Sequence, residues 1–261
     1  LCRGFGIFLF WSHLRSLRHY DDTKTLTSYI TAICLSIADG EQVFRARDLL
    51  VKQRTQLSNA MRGHMTEYGW IAPQGLAQMK KLAALLDDPD AVPQAARQVL
   101  RTLLDQMTVL NERIAELDIE IARRAREDET ARRLMTIPGI GPITATAITA
   151  LTPPPGTFAK GRDFAAWVGL TPRQHSTGGK QKLGAISKMG ERTLRRLLII
   201  GSSAVVLQAC KRGAPKGSWL EQMLARKPRM LVTVALANKT ARIVWAVLTK
   251  NEDYRAPVAT A

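Results

Sequence analysis

The sequence predicts a mainly α-helical protein in which long coiled-coil helices precede a helical C-terminal domain with a helix-hairpin-helix-like element. Two patterns carry this prediction. Apolar residues recur at alternating steps of three and four over residues 100–121, which is the spacing of a coiled-coil seam. Farther along, the sequence Pro-Gly-Ile-Gly-Pro at residues 138–142 separates two helical stretches. With 261 residues that are 46% hydrophobic, the chain is long enough for two domains.

Residues 1–40 form the first predicted region and differ from the rest of the chain. Aromatic and β-branched residues are mixed there with Ser and Thr, and Gly40 closes the segment. We therefore predict strand and loop. The apolar run from Phe5 to Trp11 is far shorter than the roughly 20 residues of a membrane span, so a buried strand is favoured over a signal segment.

Residues 41–133 form the second predicted region, which is helical and contains the coiled coil. A basic amphipathic helix is predicted from Glu41 to about Glu67, and a second helical block follows the loop around residue 88. The seam of this block consists of Leu100, Leu103, Met107, Leu110, Ile114, Leu117 and Ile121. These residues can join two copies of the chain into a homo-oligomer or pack within one chain as a helical hairpin, and the sequence does not separate the two.

Residues 134–261 form the third predicted region, a C-terminal domain rich in glycine and small residues that ends with a helix near residues 230–250. The whole chain carries a net charge of +16, and residues 160–229 alone hold fifteen Lys or Arg against three acidic residues, a net +12. Such a block favours a polyanionic partner. Because Gly and Pro interrupt it, it lacks the long apolar face of a membrane-surface helix, and we predict nucleic acid and no membrane.

The three cysteines lie far apart at positions 2, 34 and 210, so the sequence indicates neither a disulfide framework nor a zinc site. A reducing cytoplasm fits this pattern best.

The turn Ile137-Pro-Gly-Ile-Gly-Pro142 resembles the helix-hairpin-helix motif of DNA-binding proteins. Gly139 and Gly141 would let the backbone approach a phosphate, and the helix that starts at Pro142 would direct free N–H groups toward it. The alternative interpretation is a plain structural turn between packed helices.

Ser176 is the candidate nucleophile. It lies in a loop between Arg173 and Lys180 and is followed closely by Gly178 and Gly179, so a hydroxyl is combined with access and positive charge. Attack on a phosphodiester requires this combination. The alternative is an ordinary Ser-Thr-Gly-Gly turn, and His175 is either a phosphate or proton partner or a solvated side chain.

We predict that the loop and the following segment bind the phosphates of a nucleic acid. The residues concerned are Arg173, Lys180, Lys182, Lys188, Arg192, Arg195 and Arg196, together with Gly139 and Gly141. About six phosphate contacts would lower the affinity by roughly 10³ between about 50 and 200 mM salt, through release of counterions.

Three segments resemble, in the same order, the insertion-sequence transposases of the IS-one-ten type. They are Ile-Pro-Gly-Ile-Gly-Pro from residue 137, Phe-Ala-Ala-Trp-Val-Gly-Leu-Thr-Pro-Arg-Gln-His-Ser-Thr-Gly-Gly-Lys from residue 164 and Gly-Ala-Ile-Ser-Lys-Met-Gly-Glu-Arg-Thr-Leu-Arg-Arg from residue 184. The resemblance covers about residues 41–255. It implies a DNA transposase of a bacterial mobile element whose serine nucleophile matches Ser176, with coiled-coil assembly and a guide RNA for target choice.

The N-terminal region departs from that family. The resemblance implies a RuvC-like domain whose four spaced carboxylates bind Mg²⁺, whereas here Asp21 and Asp22 are adjacent and forty residues cannot build the sheet. We therefore predict no metal site in this chain and interpret residues 1–40 as a degenerate or truncated remnant. The chain is then either a truncated or frameshifted gene product or a fragment of an intact enzyme, and the sequence does not separate the two. Mg²⁺ is expected only for the intact enzyme, and this chain alone is expected to cleave little. The alternative function is a noncatalytic protein that binds nucleic acid and dimerises.

Overall fold

The structure, a computed structural model, describes residues 23–88 and 90–256. The helices are α1 (Thr23–Glu67), α2 (Leu76–Leu85), α3 (Gln94–Glu127), α4 (Glu129–Met135), α5 (Pro142–Leu151), α6 (Gly161–Val168), α7 (Arg192–Arg212), α8 (Trp219–Arg226) and α9 (Arg229–Lys250), with a short 3₁₀ turn at Pro155–Thr157. Two strands, β1 (Pro172–Gln174) and β2 (Leu183–Ile186), lie between α6 and α7. The prediction of a mainly α-helical protein is confirmed.

The first region differs from its prediction. Helix α1 begins at Thr23 and continues through Gly40, so strand and loop are wrong for residues 23–40, while the predicted strand at residues 5–11 lies outside the described residues. The sequence does hold a helical period there, because Leu26, Ile30, Ile33 and Ile37 recur at steps of three and four. The chain divides at residue 40 into two compact units, and the features that follow belong to the second.

Helices α1 and α3 form an antiparallel hairpin. Arg47 pairs with Asp118, and Nη1 of Arg54 donates to Oδ1 of Asn111 at 3.3 Å. A step of seven residues toward the C-terminus of α1 is therefore matched by a step of seven residues toward the N-terminus of α3, as expected for antiparallel helices. Four seam positions spaced by seven residues, Leu100, Met107, Ile114 and Ile121, are buried within the chain. The seam thus packs intramolecularly, which is one of the two arrangements that the sequence left open.

The far end of this hairpin has a core of its own. Met61 and Met65 of α1 pack with Leu82 and Leu86, which lie in α2 and directly after it, and with Leu100 of α3. Methionine has an unbranched, adaptable side chain that fills the space between three helices.

The C-terminal helices share a second core. Leu134, Ile148, Phe164, Leu194 and Ala241 are buried in it and come from α4, α5, α6, α7 and α9 respectively. Phe164 and Trp167 of α6 pack at this core with their ring centroids 5.7 Å apart.

Helices α7 and α9 are long and apolar enough to cross a membrane by length and composition alone. Both contribute to the C-terminal core of the structure. Leu194, Leu198 and Val206 of α7 are buried, as are Val232 and Val244 of α9. Packing within this domain therefore accounts for part of their apolar character, since 33% of the apolar window of α7 and 39% of that of α9 are buried, while Ile200, Leu207 and Leu231 are exposed.

Candidate functional site

The glycine turn between α4 and α5 packs against the middle of α7. Gly139 has a φ of +88°. A Cβ placed on Gly201 of α7 would lie 2.0 Å from the Gly139 carbonyl oxygen, and one placed on Gly139 would lie 2.8 Å from the Gly201 oxygen. Such close approach of two backbones requires glycine on both sides. Gly139 therefore has a packing role in addition to its predicted phosphate contact.

Gly141 differs from Gly139 although both belong to the same turn. It caps the N-terminus of α5 with φ −98°, is exposed, and has no atom within 4 Å of an added Cβ. Pro142 occupies the first turn of that helix. The open N-terminus of α5, rather than Gly139, is thus the part of this turn that a phosphate can reach.

The serine loop is a β-hairpin, which sequence reasoning missed. Strands β1 and β2 pair antiparallel, and beyond them the His175 amide donates to the Lys182 carbonyl at 2.8 Å. Gly178 and Gly179 form the tip with φ values of +53° and +84°. Positive φ at both central residues is typical of a type I′ turn, for which Gly-Gly is a favoured sequence. That dipeptide was the signal for the hairpin.

Ser176 is exposed one residue before the end turn of this hairpin. Its Oγ accepts a hydrogen bond from the Lys182 amide at 3.1 Å. His175 lies across Gly184, since a Cβ there would be 2.9 Å from Cδ2 of His175. Within the described residues, no hydrogen bond joins His175 to Ser176 Oγ, whose hydrogen-bond partner is the Lys182 amide.

At the base of the serine hairpin, the backbone of residues 167–169 crosses directly against the backbone of residues 189–190. A Cβ on Gly169, which has φ +80°, would lie 2.0 Å from the Met189 oxygen, and one on Gly190 would lie 1.8 Å from the Trp167 oxygen. The Arg195 guanidinium closes this crossing by donating to the Val168 carbonyl at 2.8 Å. Arg195 therefore stabilises the base of the hairpin. Its predicted contact with a phosphate would have to use the same guanidinium group that donates to the Val168 carbonyl.

The predicted cations differ in their surroundings. Lys180, Lys182, Lys188 and Arg192 are exposed. Arg173 is also exposed, and its Nη2 donates to the Ser187 carbonyl at 3.2 Å. Within residues 160–229, all of which the structure describes, only Arg196 forms an ion pair, and its partner is Asp48 of α1.

The three acidic residues of the basic block serve helix N-termini. Asp163 accepts from the Lys160 amide at 3.0 Å, Glu191 from the Thr193 amide at 2.9 Å and Glu221 from the Gly217 amide at 2.6 Å. Backbone amides stabilise carboxylates at these positions. The acids of the block therefore leave its Lys and Arg side chains unpaired.

The helical region before residue 134 has the opposite charge arrangement. Residues 41–133 contain fifteen Lys or Arg and fourteen Asp or Glu. Many of them pair with one another; Arg123 contacts both Glu120 and Glu127 at 2.7 Å. Hydrogen bonds from Arg123 and Arg124 lower the pKa of Glu120 to about 2. The net positive charge of the sequence is thus concentrated in the C-terminal domain.

Comparison with known proteins identifies this domain. Residues 131–215 match the transposase family IS116/IS110/IS902. The chain contains the transposase domain of that family. It is 43% identical over 218 residues to a protein of Pseudomonas aeruginosa named a probable family 20 transposase, covering 82% of this chain and 64% of that protein.

Two further relatives carry similar names. The chain is 38% identical over 206 residues to the transposase for insertion sequence element IS1328 of Yersinia enterocolitica, covering 79% of the chain and 61% of that protein. It is 36% identical over 219 residues to the transposase for IS1111A of Coxiella burnetii, covering 83% of the chain and 60% of that protein. The chain thus spans about three fifths of the length of these transposases.

The IS116/IS110/IS902 transposase domain includes both the glycine turn and the serine hairpin, and it ends just after α7. In the described part of the chain, no three His, Cys, Asp or Glu side chains are grouped so that they could hold a metal ion. The residues described here therefore do not fit a Mg²⁺ site.

Proposed function

We propose that this domain acts in DNA transposition and that Ser176 is the nucleophile of the strand exchange. The observation that carries the proposal is the position of Ser176. Its hydroxyl is exposed near the tip of a hairpin within the family domain, and the lysines beside it form no ion pair in the described part of the chain.

The hairpin suits attack on a phosphodiester. Gly178 and Gly179 place no side chain at the tip, so a DNA strand can approach Ser176. In the reaction, Ser176 Oγ would form a bond to phosphorus while a phosphorus–oxygen bond of the DNA breaks. The serine proton would pass to a base, and the released DNA oxygen would take up a proton and leave as a hydroxyl group. The Lys182 amide, which donates to Oγ, would stabilise negative charge as that proton leaves.

The base and the metal chemistry would come from outside the residues described here. No hydrogen bond joins His175 to Ser176 within the described residues, and these residues hold no group of metal ligands. We infer that the strand exchange requires a carboxylate domain with Mg²⁺, and that the working complex includes DNA, a guide RNA and a homo-oligomer in the cytoplasm.

The test is to trap a serine-linked DNA adduct. The chain would be supplied with the carboxylate domain of a longer relative, Mg²⁺ and a labelled DNA substrate. Wild type should give the adduct, and Ser176→Ala should remove it while Thr177→Ala, which deletes the neighbouring hydroxyl, keeps it. An adduct of equal yield in Ser176→Ala would rule out this nucleophile.

A second candidate function is noncatalytic binding of nucleic acid. It is favoured by the lack of a metal-ligand group in the described residues and by the unpaired positive charge. In that case wild type and Ser176→Ala would bind DNA equally and neither would form an adduct under any of these conditions.

A further inference from the structure

The contact between Asp48 and Arg196 joins the helical hairpin to the transposase domain. Asp48 lies on α1, Arg196 lies on the second turn of α7, and Nζ of Lys52 also contacts the Asp48 carboxylate at 2.9 Å. The side chain of Asp48 is only 16% exposed, whereas that of Arg196 is 46% exposed. One carboxylate is therefore held between two cations, and one of these cations also faces solvent.

A cavity of about 390 Å³ lies beside this contact. Asp48 and Lys52 line it on the α1 side, Leu151 at the end of α5, and Glu191 and Thr193 at the start of α7. The Asp48 carboxylate can thus be approached from outside without unfolding either helix.

Arg196 also belongs to a series of exposed cations that begins just after the serine hairpin. Lys188, Arg192 and Arg196 follow one another at four-residue steps, and the last two share one face of α7. A nucleic-acid backbone that contacts Lys188 and Arg192 would meet Arg196 next. At that position the guanidinium is already occupied by a carboxylate.

Guanidinium groups bind carboxylate and phosphate oxygens through the same planar pair of N–H donors. We propose that Lys52 and Arg196 form a phosphate-binding site, which the Asp48 carboxylate fills in the free protein and from which a nucleic-acid phosphate displaces it. This inference rests on the proposed binding of nucleic acid and specifies one of its contacts. It also means that binding of nucleic acid releases the tie between α1 and α7.

The experiment measures the affinity of the full chain for a fluorescent duplex DNA oligonucleotide at several salt concentrations. Four proteins are compared: wild type, Asp48→Asn, Arg196→Ala and the double variant. Removal of the competing carboxylate should tighten binding roughly two- to fivefold, the range of such ion pairs. That gain should be clearly smaller in the Arg196→Ala background, because the freed guanidinium is then missing and only Lys52 remains.

Two results would overturn the site. If Asp48→Asn tightens binding equally with and without Arg196, Asp48 acts only through its long-range charge. If Asp48→Asn leaves the DNA affinity unchanged, the Asp48 carboxylate does not compete with the nucleic acid for this site. Asp118→Asn is the matched control, because Asp118 also pairs with an arginine, Arg47, but lies within the charge-balanced hairpin; we expect its affinity and salt dependence to equal those of wild type.

A second variant keeps the inference testable if Asp48→Asn does not fold. Arg196→Ala alone should reduce the salt slope of binding by about 0.9, the value for one lost phosphate contact, and an unchanged slope would contradict the proposal. Failure of the proposed binding of nucleic acid would give a different result, because a folded wild-type chain would then bind no DNA at any salt concentration. That result would overturn the phosphate site as well.

Discussion

The backbone of Gly139 lies directly against the backbone of Gly201. The first residue belongs to the turn between α4 and α5, and the second to the middle of α7, yet a Cβ on Gly201 would lie only 2.0 Å from the Gly139 oxygen. This contact fixes the glycine turn on the helix whose start carries Arg192 and Arg196. The turn and the basic segment therefore form one rigid part of the transposase domain.

Gly201→Ala should destabilise the fold, because the added methyl group meets backbone atoms that cannot turn aside. Overpacking of this kind costs about 1–3 kcal/mol, and each kcal/mol lowers the Tm of a chain of this size by roughly 2–4 °C. Thermal unfolding followed by circular dichroism measures the effect. Gly141→Ala is the control: nothing lies within 4 Å of its added Cβ, so its stability should match wild type within about 0.5 kcal/mol. Equal Tm values for the two variants would contradict this packing.

Gly141→Ala also separates packing from phosphate binding. If a phosphate sits at the N-terminus of α5, the added methyl group hinders its approach without affecting the fold. We expect DNA affinity to fall by up to about fivefold, which corresponds to the interaction of an anion with a helix end. The measurement is a binding titration on the variant whose unchanged Tm has been verified. Unchanged affinity would leave the turn with a packing role only.

The Asp48 pair gives a stability effect with a defined pH dependence. Partial burial opposes ionisation of Asp48, but hydrogen bonds from Arg196 and Lys52 and the charges of both outweigh it, so its pKa lies below the usual value. A carboxyl with a lowered pKa in the folded state stabilises the fold above its unfolded pKa of about 3.9 and loses this effect as the pH falls through the folded pKa.

Asp48→Asn should therefore have a lower Tm than wild type at pH 7, and this difference should shrink as the pH falls below about 4. Thermal unfolding between pH 7 and pH 3 measures it. Asp105→Asn, at an exposed position on α3, is the control, and its Tm is expected to stay close to that of wild type. A difference in Tm between Asp48→Asn and wild type that stays constant across the whole pH range would show that loss of the ion pair does not cause this difference.

Gly190→Ala should disturb the serine hairpin at its base. Its φ is +91° and the added methyl group would lie 1.8 Å from the Trp167 oxygen, so the crossing with Gly169 must open. We expect a loss of about 1–3 kcal/mol in stability together with a loss of the Ser176 adduct. Gly178→Asn at the tip is the control, because asparagine tolerates positive φ and nothing lies within 4 Å. Normal adduct formation in Gly190→Ala would mean that the crossing does not position Ser176.

The sequence predicted the features that depend on the regular spacing of apolar residues along the chain. The seven-residue repeat of Leu100, Met107, Ile114 and Ile121 identified α3, and all four residues are buried in the structure. The β-hairpin was missed although Gly178-Gly179 is a hairpin signal, because basic residues and glycines on both sides resemble a loop. Residues 23–40 were misassigned because their Thr and Ser content hid a helical period.

Other features leave no local signal. Asp48 and Arg196 are 148 residues apart in sequence and meet only when α1 packs beside α7. Gly139 and Gly201 likewise show their contact only in three dimensions. Four of the nine predicted nucleic-acid contacts are engaged within the protein, namely Gly139, Arg173, Arg195 and Arg196. For all but Arg173, this depends on the packing of elements that are distant in sequence.

The most direct test concerns where the molecule binds DNA. Lys180 and Lys182 lie on the serine hairpin, whereas Lys80 and Lys81 lie on α2 in the charge-balanced region, and all four side chains are exposed. The salt dependence of binding to one duplex oligonucleotide would be measured for the double alanine variant of each pair. We predict that loss of Lys180 and Lys182 lowers the slope by about 1.8, or about 0.9 for each phosphate contact, and that loss of Lys80 and Lys81 leaves it unchanged. Equal slopes for both variants would contradict the assignment of DNA binding to the serine hairpin.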